Sequence, residues 1–473
     1  MISLFLPEII LSALCAILLC LTLAKNQISE KALSSFMLLG AVILLGGCLL
    51  SLHHAGNIFF NTYRVDLFSQ GFKVVLALAY LMTVLLSAEW NAIPKNRLIE
   101  YYLFLTTGAL GMMMITSAVD ILSLFVALEL SAYSLYLLAA LKPGQRNAES
   151  SVKYLIFGAT TSGVALWGLS LIVGLAGSTS IAEILKNSAA LSAQPAFVLG
   201  AAFFSLSLIF KLSGFPMQFW APDVYESAST PAVNFIATAS KAAAVAVLIR
   251  IFMFSGMPTA FSAILGVLAF ISMTLGNTVA LVQTDVKRLL AYSSIAQAGY
   301  ILVGLLSGTI NGFSTAFLYA FAYVIMNSGA FLVTTLVAKA ANHDNPQVSH
   351  FDGLAERSPF LALVLLLSLL SLAGIPPLLG FTGKWVLFTS AMEKGHWFLV
   401  LWAVLNSVVS LFYYLSIVKH AYLAKPKDTT PLTIPLNLKI AGYCIFAALL
   451  LVGIFPDFFI TFTGQAISSG LIR

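Results

Sequence analysis

The sequence predicts an all-α polytopic membrane protein of about fourteen transmembrane helices, with two inverted five-helix repeats and broken helices at the seventh and twelfth spans. Three observations carry this expectation. The first is composition: of 473 residues, 60% are apolar and only 9% are charged, against roughly 25% charged in a soluble domain. The second is a series of fourteen apolar runs bounded by polar or Gly/Pro clusters, each near the ~20 residues that a helix needs to cross a bilayer. The third is a matched interruption, Leu212-Ser213-Gly214-Phe215-Pro216 and Leu372-Ala373-Gly374-Ile375-Pro376, in the fourth span of each of two five-span sets. This composition excludes a soluble enzyme, a disordered chain and a nucleic-acid-binding protein. The net charge of +6 then reads as loop charge that orients the chain in its membrane.

Taken in order, the runs at 3–23, 33–52 and 72–88 form an N-terminal three-helix segment, residues 1–100. The first run lacks a basic leader and Lys25 follows it, so it reads as a retained span and not a cleaved signal. Runs at 101–117, 119–141, 152–176, 196–219 and 229–254 form the first repeat, 101–254. Runs at 260–282, 288–308, 312–339, 359–392 and 397–423 form the second, 260–423. The stretch 359–392 is too long for one straight span and contains Gly-Ile-Pro-Pro, so a break is expected there. A last run at 438–460 lies in the C-terminal segment, 424–473. Because five is odd, the second set enters the membrane from the opposite face, as in transporters built from inverted repeats with discontinuous helices. Proline kinks alone are common in membrane helices; it is the matched position that favours a repeat. With the N-terminus outside, fourteen Lys and Arg fall on the inner side and six on the outer. This bias supports both termini on the outer face.

Five charges fall well inside apolar spans: Glu129, Lys153, Lys211, Lys241 and Lys384. A charge at mid-bilayer costs about 2.5–3.5 kcal/mol even on a permissive scale, so such residues face a polar interior and mark ion pathways. Lys211 stands five residues before Pro216, and Lys384 follows the second break. Lys241 has only small neighbours in Thr-Ala-Ser-Lys-Ala-Ala-Ala. Lys153 is near the end of its span, where snorkelling is the competing reading. The expected chemistry is proton transfer: burial disfavours an ammonium, a nearby carboxylate favours it, and a moving carboxylate passes the proton on. Tyr154, Ser240, Thr382 and Tyr413 are placed to order water, although plain packing explains each as well. Four cysteines (Cys15, Cys20, Cys48, Cys444) without a CxxC pair, and six histidines mostly in connections, point to no redox cofactor in this chain.

Several segments resemble subunit N of bacterial respiratory complex I, an antiporter-like membrane subunit family: residues 127–141, 150–180, 210–243, 283–300 and 374–388. The Trp-Ala-Pro-Asp-Val-Tyr-Glu stretch from Trp220 to Glu226 is particular to that family. The resemblance implies fourteen helices with two inverted bundles and one proton-translocation unit. It aligns Glu129 with the family's glutamate on the fifth span, and Lys153, Lys211, Lys241 and Lys384 with its lysines on the sixth, seventh, eighth and twelfth. It implies a cell inner membrane location, with FMN, iron–sulfur clusters and quinone held by other subunits. The partners implied are the antiporter-like subunit M, the small subunits K and J, and the lipid bilayer, with no nucleic acid. One departure is Gln297, where many bacterial members have histidine and photosynthetic relatives have glutamine. Alternatives are a subunit of a related photosynthetic or hydrogenase-type complex and a free-standing cation/proton antiporter. A Na⁺ site prefers oxygen ligands, which a row of lysines does not offer.

Overall fold

The computed structural model describes residues 2–24, 28–89, 92–255, 259–426 and 430–471. Lys25, Lys427 and Arg473, which enter the charge count above, lie outside the described residues. The chain is helical almost throughout. It begins with α1 (Leu6–Leu23) and α2 (Glu30–Leu50), a short hairpin of β1 (Gly56–Ile58) and β2 (Tyr63–Val65), and α3 (Leu67–Glu89). Then come α4 (Leu98–Ser117), α5 (Ile121–Ala140), α6 (Gln145–Ala176), the short α7 (Ile181–Lys186) and α8 (Ser188–Leu191), α9 (Pro195–Leu212), α10 (Trp220–Ser227) and α11 (Thr230–Ser255). The remainder is α12 (Thr259–Ala280), α13 (Val286–Leu305), α14 (Ile310–Ala340), α15 (Leu354–Arg357), α16 (Pro359–Ala373), α17 (Leu379–Met392), α18 (Trp397–Leu423), α19 (Leu436–Ile454) and α20 (Asp457–Leu471).

Twelve helices among the described residues are long and apolar enough to cross a membrane. The difference from the fourteen runs has a physical origin. α13 spans 20 residues, but Lys287, Arg288 and a Ser/Gln-rich middle dilute its apolar character. The run at 359–392 is divided between α16 and α17, of 15 and 14 residues. α20 was not expected. The last run ends at Ile454, Pro456 follows, and α20 turns back to pack against α14 and α3.

α11 and α14 form the axis of the molecule and are buried along almost their whole length. α11 is rich in alanine around Lys241, and small side chains let helices approach closely where apolar lipid offers no drive for association. The outer helices show the converse. Val126, Trp167, Val408 and Phe412 are large, apolar and exposed, which is the pattern of a perimeter facing hydrocarbon. Two glycines allow backbone contact at the rims of the bundle. A Cβ on Gly111 of α4 would meet the Ser131 amide of α5 at 2.7 Å, and one on Gly276 of α12 would meet the Ala296 amide of α13 at 2.6 Å.

The two Gly/Pro interruptions end helices in the same way. α9 stops at Ser213, in the left-handed region at φ 57°, and Gly214 N–H donates back to the Ile209 carbonyl at 3.0 Å. α16 stops at Gly374, φ 92°, and Ile375 N–H donates to Leu370 at 3.0 Å. Both are C-terminal caps closed across the left-handed residue. The Phe215–Pro216 and Pro376–Pro377 bonds are cis. Such ends leave last-turn carbonyls without helical partners, and those carbonyls matter below.

Candidate functional site

Glu129 on α5 and Lys211 on α9 line one small cavity together with Ser162, Ser207 and Tyr136. Ser162 Oγ donates to Glu129 Oε1 at 2.6 Å. Lys211 Nζ donates to the Leu128 carbonyl and to Ser131 Oγ, both at 3.2 Å. Lys211 thus reaches α5 one residue away from Glu129, while the carboxylate turns to α6. The cavity holds about 10 Å³, at the lower bound for a single water.

Lys241 is 1% exposed. Its ammonium donates to the Ser294 carbonyl at 2.7 Å and to Ser294 Oγ at 2.9 Å, and it lies 5.9 Å from the Tyr323 ring centre. Lys384 donates to the Leu372 and Ala373 carbonyls at 3.0 and 3.1 Å. These are the carbonyls freed where α16 ends. A third bond goes to Ser407 Oγ at 3.1 Å, and the Tyr300 ring centre is 4.4 Å away. Both lysines are therefore held by neutral oxygens and aromatic faces, which can share a proton without fixing it as a carboxylate does.

Polar side chains reach from one toward the other. Gln297 Nε2 donates to the same Leu372 carbonyl at 3.0 Å and to Tyr414 OH at 3.4 Å, and its Oε1 accepts from Tyr319 OH. Tyr414 OH bonds Ser293, whose neighbour Ser294 holds Lys241. Asn277 accepts from Tyr413 OH at 3.0 Å and donates to Tyr300 OH and to Asn406 Oδ1, each at 3.1 Å. Of the four residues singled out for water ordering, Tyr413 joins this network. Tyr154 stacks on Trp220 at 4.3 Å, while Ser240 and Thr382 bond backbone carbonyls.

Lys153 differs from the other four. Its side chain is 46% exposed, pairing with Glu149 at 2.7 Å and Asp223 at 3.5 Å. It belongs to an ion network around α10, where Arg288 bridges Asp223 and Glu226 at 3.1 and 2.9 Å and Arg146 holds Glu226 at 2.6 Å.

Several buried charges escaped the sequence reading. Asp344, between α14 and α15, binds Lys142 at 2.6 Å and Lys287 at 3.5 Å, and Thr230 Oγ1 donates to it at 2.8 Å. Burial alone would raise this carboxyl, but Lys287 and Lys142 outweigh it and hold the group below its usual range. Asp66 makes a bidentate bridge to Arg250 at 2.6 and 3.0 Å, and it too is held low against the opposing effect of burial. Glu8 and Lys73 pair at 2.7 Å. Lys73 and Arg250 are two of the six Lys and Arg that the sequence assigns to the outer side. Their positions inside helical segments were the only signal in the sequence, and their partners lie 65 and 184 residues away.

Residues 118–410 match the family described as NADH:quinone oxidoreductase/Mrp antiporter, TM. The chain is 42% identical over 458 residues to NADH-quinone oxidoreductase subunit N 2 of Syntrophobacter fumaroxidans, covering 96% of each. It is similar to a chain of respiratory complex I from Thermus thermophilus solved with bound Aureothin. That match has a TM-score of 0.83 and 32% identity, over 96% of this chain and 98% of that one. A chain of the Mrp complex from Dietzia shares the fold at a TM-score of 0.89 and 18% identity, over 99% and 97% of the two chains.

Proposed function

The chain belongs to the NADH:quinone oxidoreductase/Mrp antiporter family of transmembrane proteins, and on that premise we propose how it works. It is a proton-translocating membrane subunit of an NADH–quinone oxidoreductase, of the subunit N type. The single observation that carries the mechanism is the row of Lys211, Lys241 and Lys384. Each is held by hydroxyls and backbone carbonyls, and Glu129 stands beside the first. A carboxylate swinging from Ser162 toward Lys211 stabilises the ammonium there. Swinging back, it leaves burial to drive the proton on. Ser294, Ser293, Tyr414 and Gln297 line the way between Lys241 and Lys384, and water ordered by their hydroxyl and amide groups carries the proton between the two amines. Lys153, half exposed, is the entry or exit of this path.

We read 101–254 and 260–423 as inverted repeats, following a three-helix segment at 1–100 and preceding a C-terminal segment at 424–473. α9/α10 and α16/α17 are the broken seventh and twelfth spans of the fourteen. Correspondences at a spacing of 165 residues support this. Asp120 caps α5 as Asp285 caps α13, and Gly111 meets α5 as Gly276 meets α13. At the same spacing Ser294 stands where the first repeat has Glu129. The acceptor of Lys241 thus occupies the position of the acidic switch. In the assembly, FMN, iron–sulfur clusters and quinone belong to other subunits, and subunits M, K and J are the neighbours in the membrane. We place the chain in the cell inner membrane with both termini outside.

Reconstituted complex with Glu129→Gln or Lys211→Ala tests the path. We expect NADH oxidation to persist with a lower proton-to-electron ratio, and full pumping in both variants refutes it. Gln297→Leu is expected to lower the ratio as well, since it leaves Tyr319 OH without its acceptor and takes one of two partners from Tyr414. Each buried polar group so orphaned costs about 1–3 kcal/mol, so its melting temperature should also drop. Gln297→His, which can both donate and accept, should retain pumping.

A further inference from the structure

A second acid–base pair lies outside this row. Glu8 on α1 and Lys73 on α3 meet at 2.7 Å with both side chains fully buried. Tyr63 of the hairpin donates to Glu8 Oε1 at 2.6 Å and presents its ring 5.4 Å from the ammonium. Cys48 of α2 lies within the field of both charges. The surroundings are polar and incompletely bonded. Glu8 Oε2 and both polar atoms of Gln70 are buried without a hydrogen-bond partner, and the Ser117 hydroxyl stands against Tyr63. Gln70 is one turn before Lys73 on the same helix face. Ser117 adjoins Thr116, whose carbonyl accepts from Arg250 at 3.0 Å.

A pair that only staples helices together needs its remaining lone pairs satisfied to offset the desolvation of two ions. Here half the carboxylate and a whole amide are left over, and buried polar groups of this kind are the usual partners of ordered water. We propose that Glu8–Lys73 is a further proton-transfer site of this chain, standing in the N-terminal three-helix segment. The Lys73 ammonium gives its proton to the Glu8 carboxylate, leaving an amine and a carboxylic acid. The carboxylic acid turns about its Cγ–Cδ bond, carrying that proton on Oε1 away from Lys73, and releases it to water held by Gln70. The amine then takes up a proton from the inner side. The ion pair and the amine–acid pair are each neutral overall, the pair carries one net negative charge only between release and uptake, and no electrons move.

The inference rests on the proton-translocating reading, so Lys241→Ala is run beside it in the same proteoliposomes of reconstituted complex. The isosteric neutral pair Glu8→Gln/Lys73→Met is expected to assemble and oxidise NADH with a loss in proton-to-electron ratio. An unchanged ratio in this variant with a reduced ratio in Lys241→Ala overturns the second site alone. An unchanged ratio in both overturns the underlying reading. If the double variant fails to assemble, Glu8→Asp decides by infrared spectroscopy during turnover. The site predicts a carboxyl C=O band that shifts in Glu8→Asp, and a spectrum identical to that of the unaltered complex overturns it.

Discussion

Lys241→Met yields a complex that assembles and oxidises NADH but loses the proton translocation this subunit carries. The assembly half follows from energetics. Lys241 is buried at 1% exposure and its ammonium is held by Ser294. A methionine of similar length removes the cost of desolvating a charge, several kcal/mol. It also leaves the Ser294 carbonyl short of a partner, at about 1–3 kcal/mol. The two effects nearly cancel, so the melting temperature should barely move. The transport half follows from position, because no other side chain bonds Ser294 from α11. Lys241→Arg sharpens the test. It keeps the positive charge but cannot release its proton in a protein. If Lys241 only balances the local field, arginine rescues; if it transfers protons, arginine fails as methionine does. Proton-to-electron ratios of the three complexes decide between these outcomes.

Asp344→Ala should be the most destabilising single change in the connections between the helices. The carboxylate gathers Lys142, Lys287 and Thr230, and so joins the segment after α5 and the starts of α11 and α13 to the loop that follows α14. Breaking a buried pair by removing one partner costs about 3–5 kcal/mol, because it leaves uncompensated charge behind. Here two lysines are orphaned together. Lys142→Ala added to Asp344→Ala should recover part of the loss, and thermal unfolding of the solubilised chain reads both. The pH dependence has a definite sign. A carboxyl held low contributes its full stability above the unfolded value and loses it as pH falls through the folded one. For Asp344, held low by Lys287 and Lys142 against burial, the loss falls below the ordinary carboxylate value of about 4. Acidification from neutrality to that point should not loosen this junction.

Much of this was legible in the sequence, for reasons that residues make plain. Lys241 and Lys384 stand alone in apolar runs, and the structure buries both. The interruptions at Gly214-Phe215-Pro216 and Gly374-Ile375-Pro376 mark the ends of α9 and α16, because glycine or serine at a left-handed cap and a following proline cannot continue a helix. The pairs were not legible. Glu8 and Lys73 sit near helix starts, where a charge reads as loop or snorkelling, and only the tertiary fold brings them together. Gln297 looked like a lost histidine, yet its amide serves as donor to Leu372 and acceptor for Tyr319. α20 escaped because its Thr/Ser/Gly content dilutes the apolar signal, although it packs deep against α14.

α11 is anchored at two points. Thr230 is tied to Asp344 at one end, and Arg250 is clamped by Asp66 at the other. The 20 residues between them span about 30 Å at 1.5 Å per residue, which is the thickness of the hydrocarbon layer. A rod fixed at both surfaces cannot slide or tilt without breaking a bridge at one of them. On the proposed path Lys241, near its middle, therefore works against a stationary frame. The proposed transfer there then falls to rotation of side chains and reorientation of water, with the backbone of α11 held still.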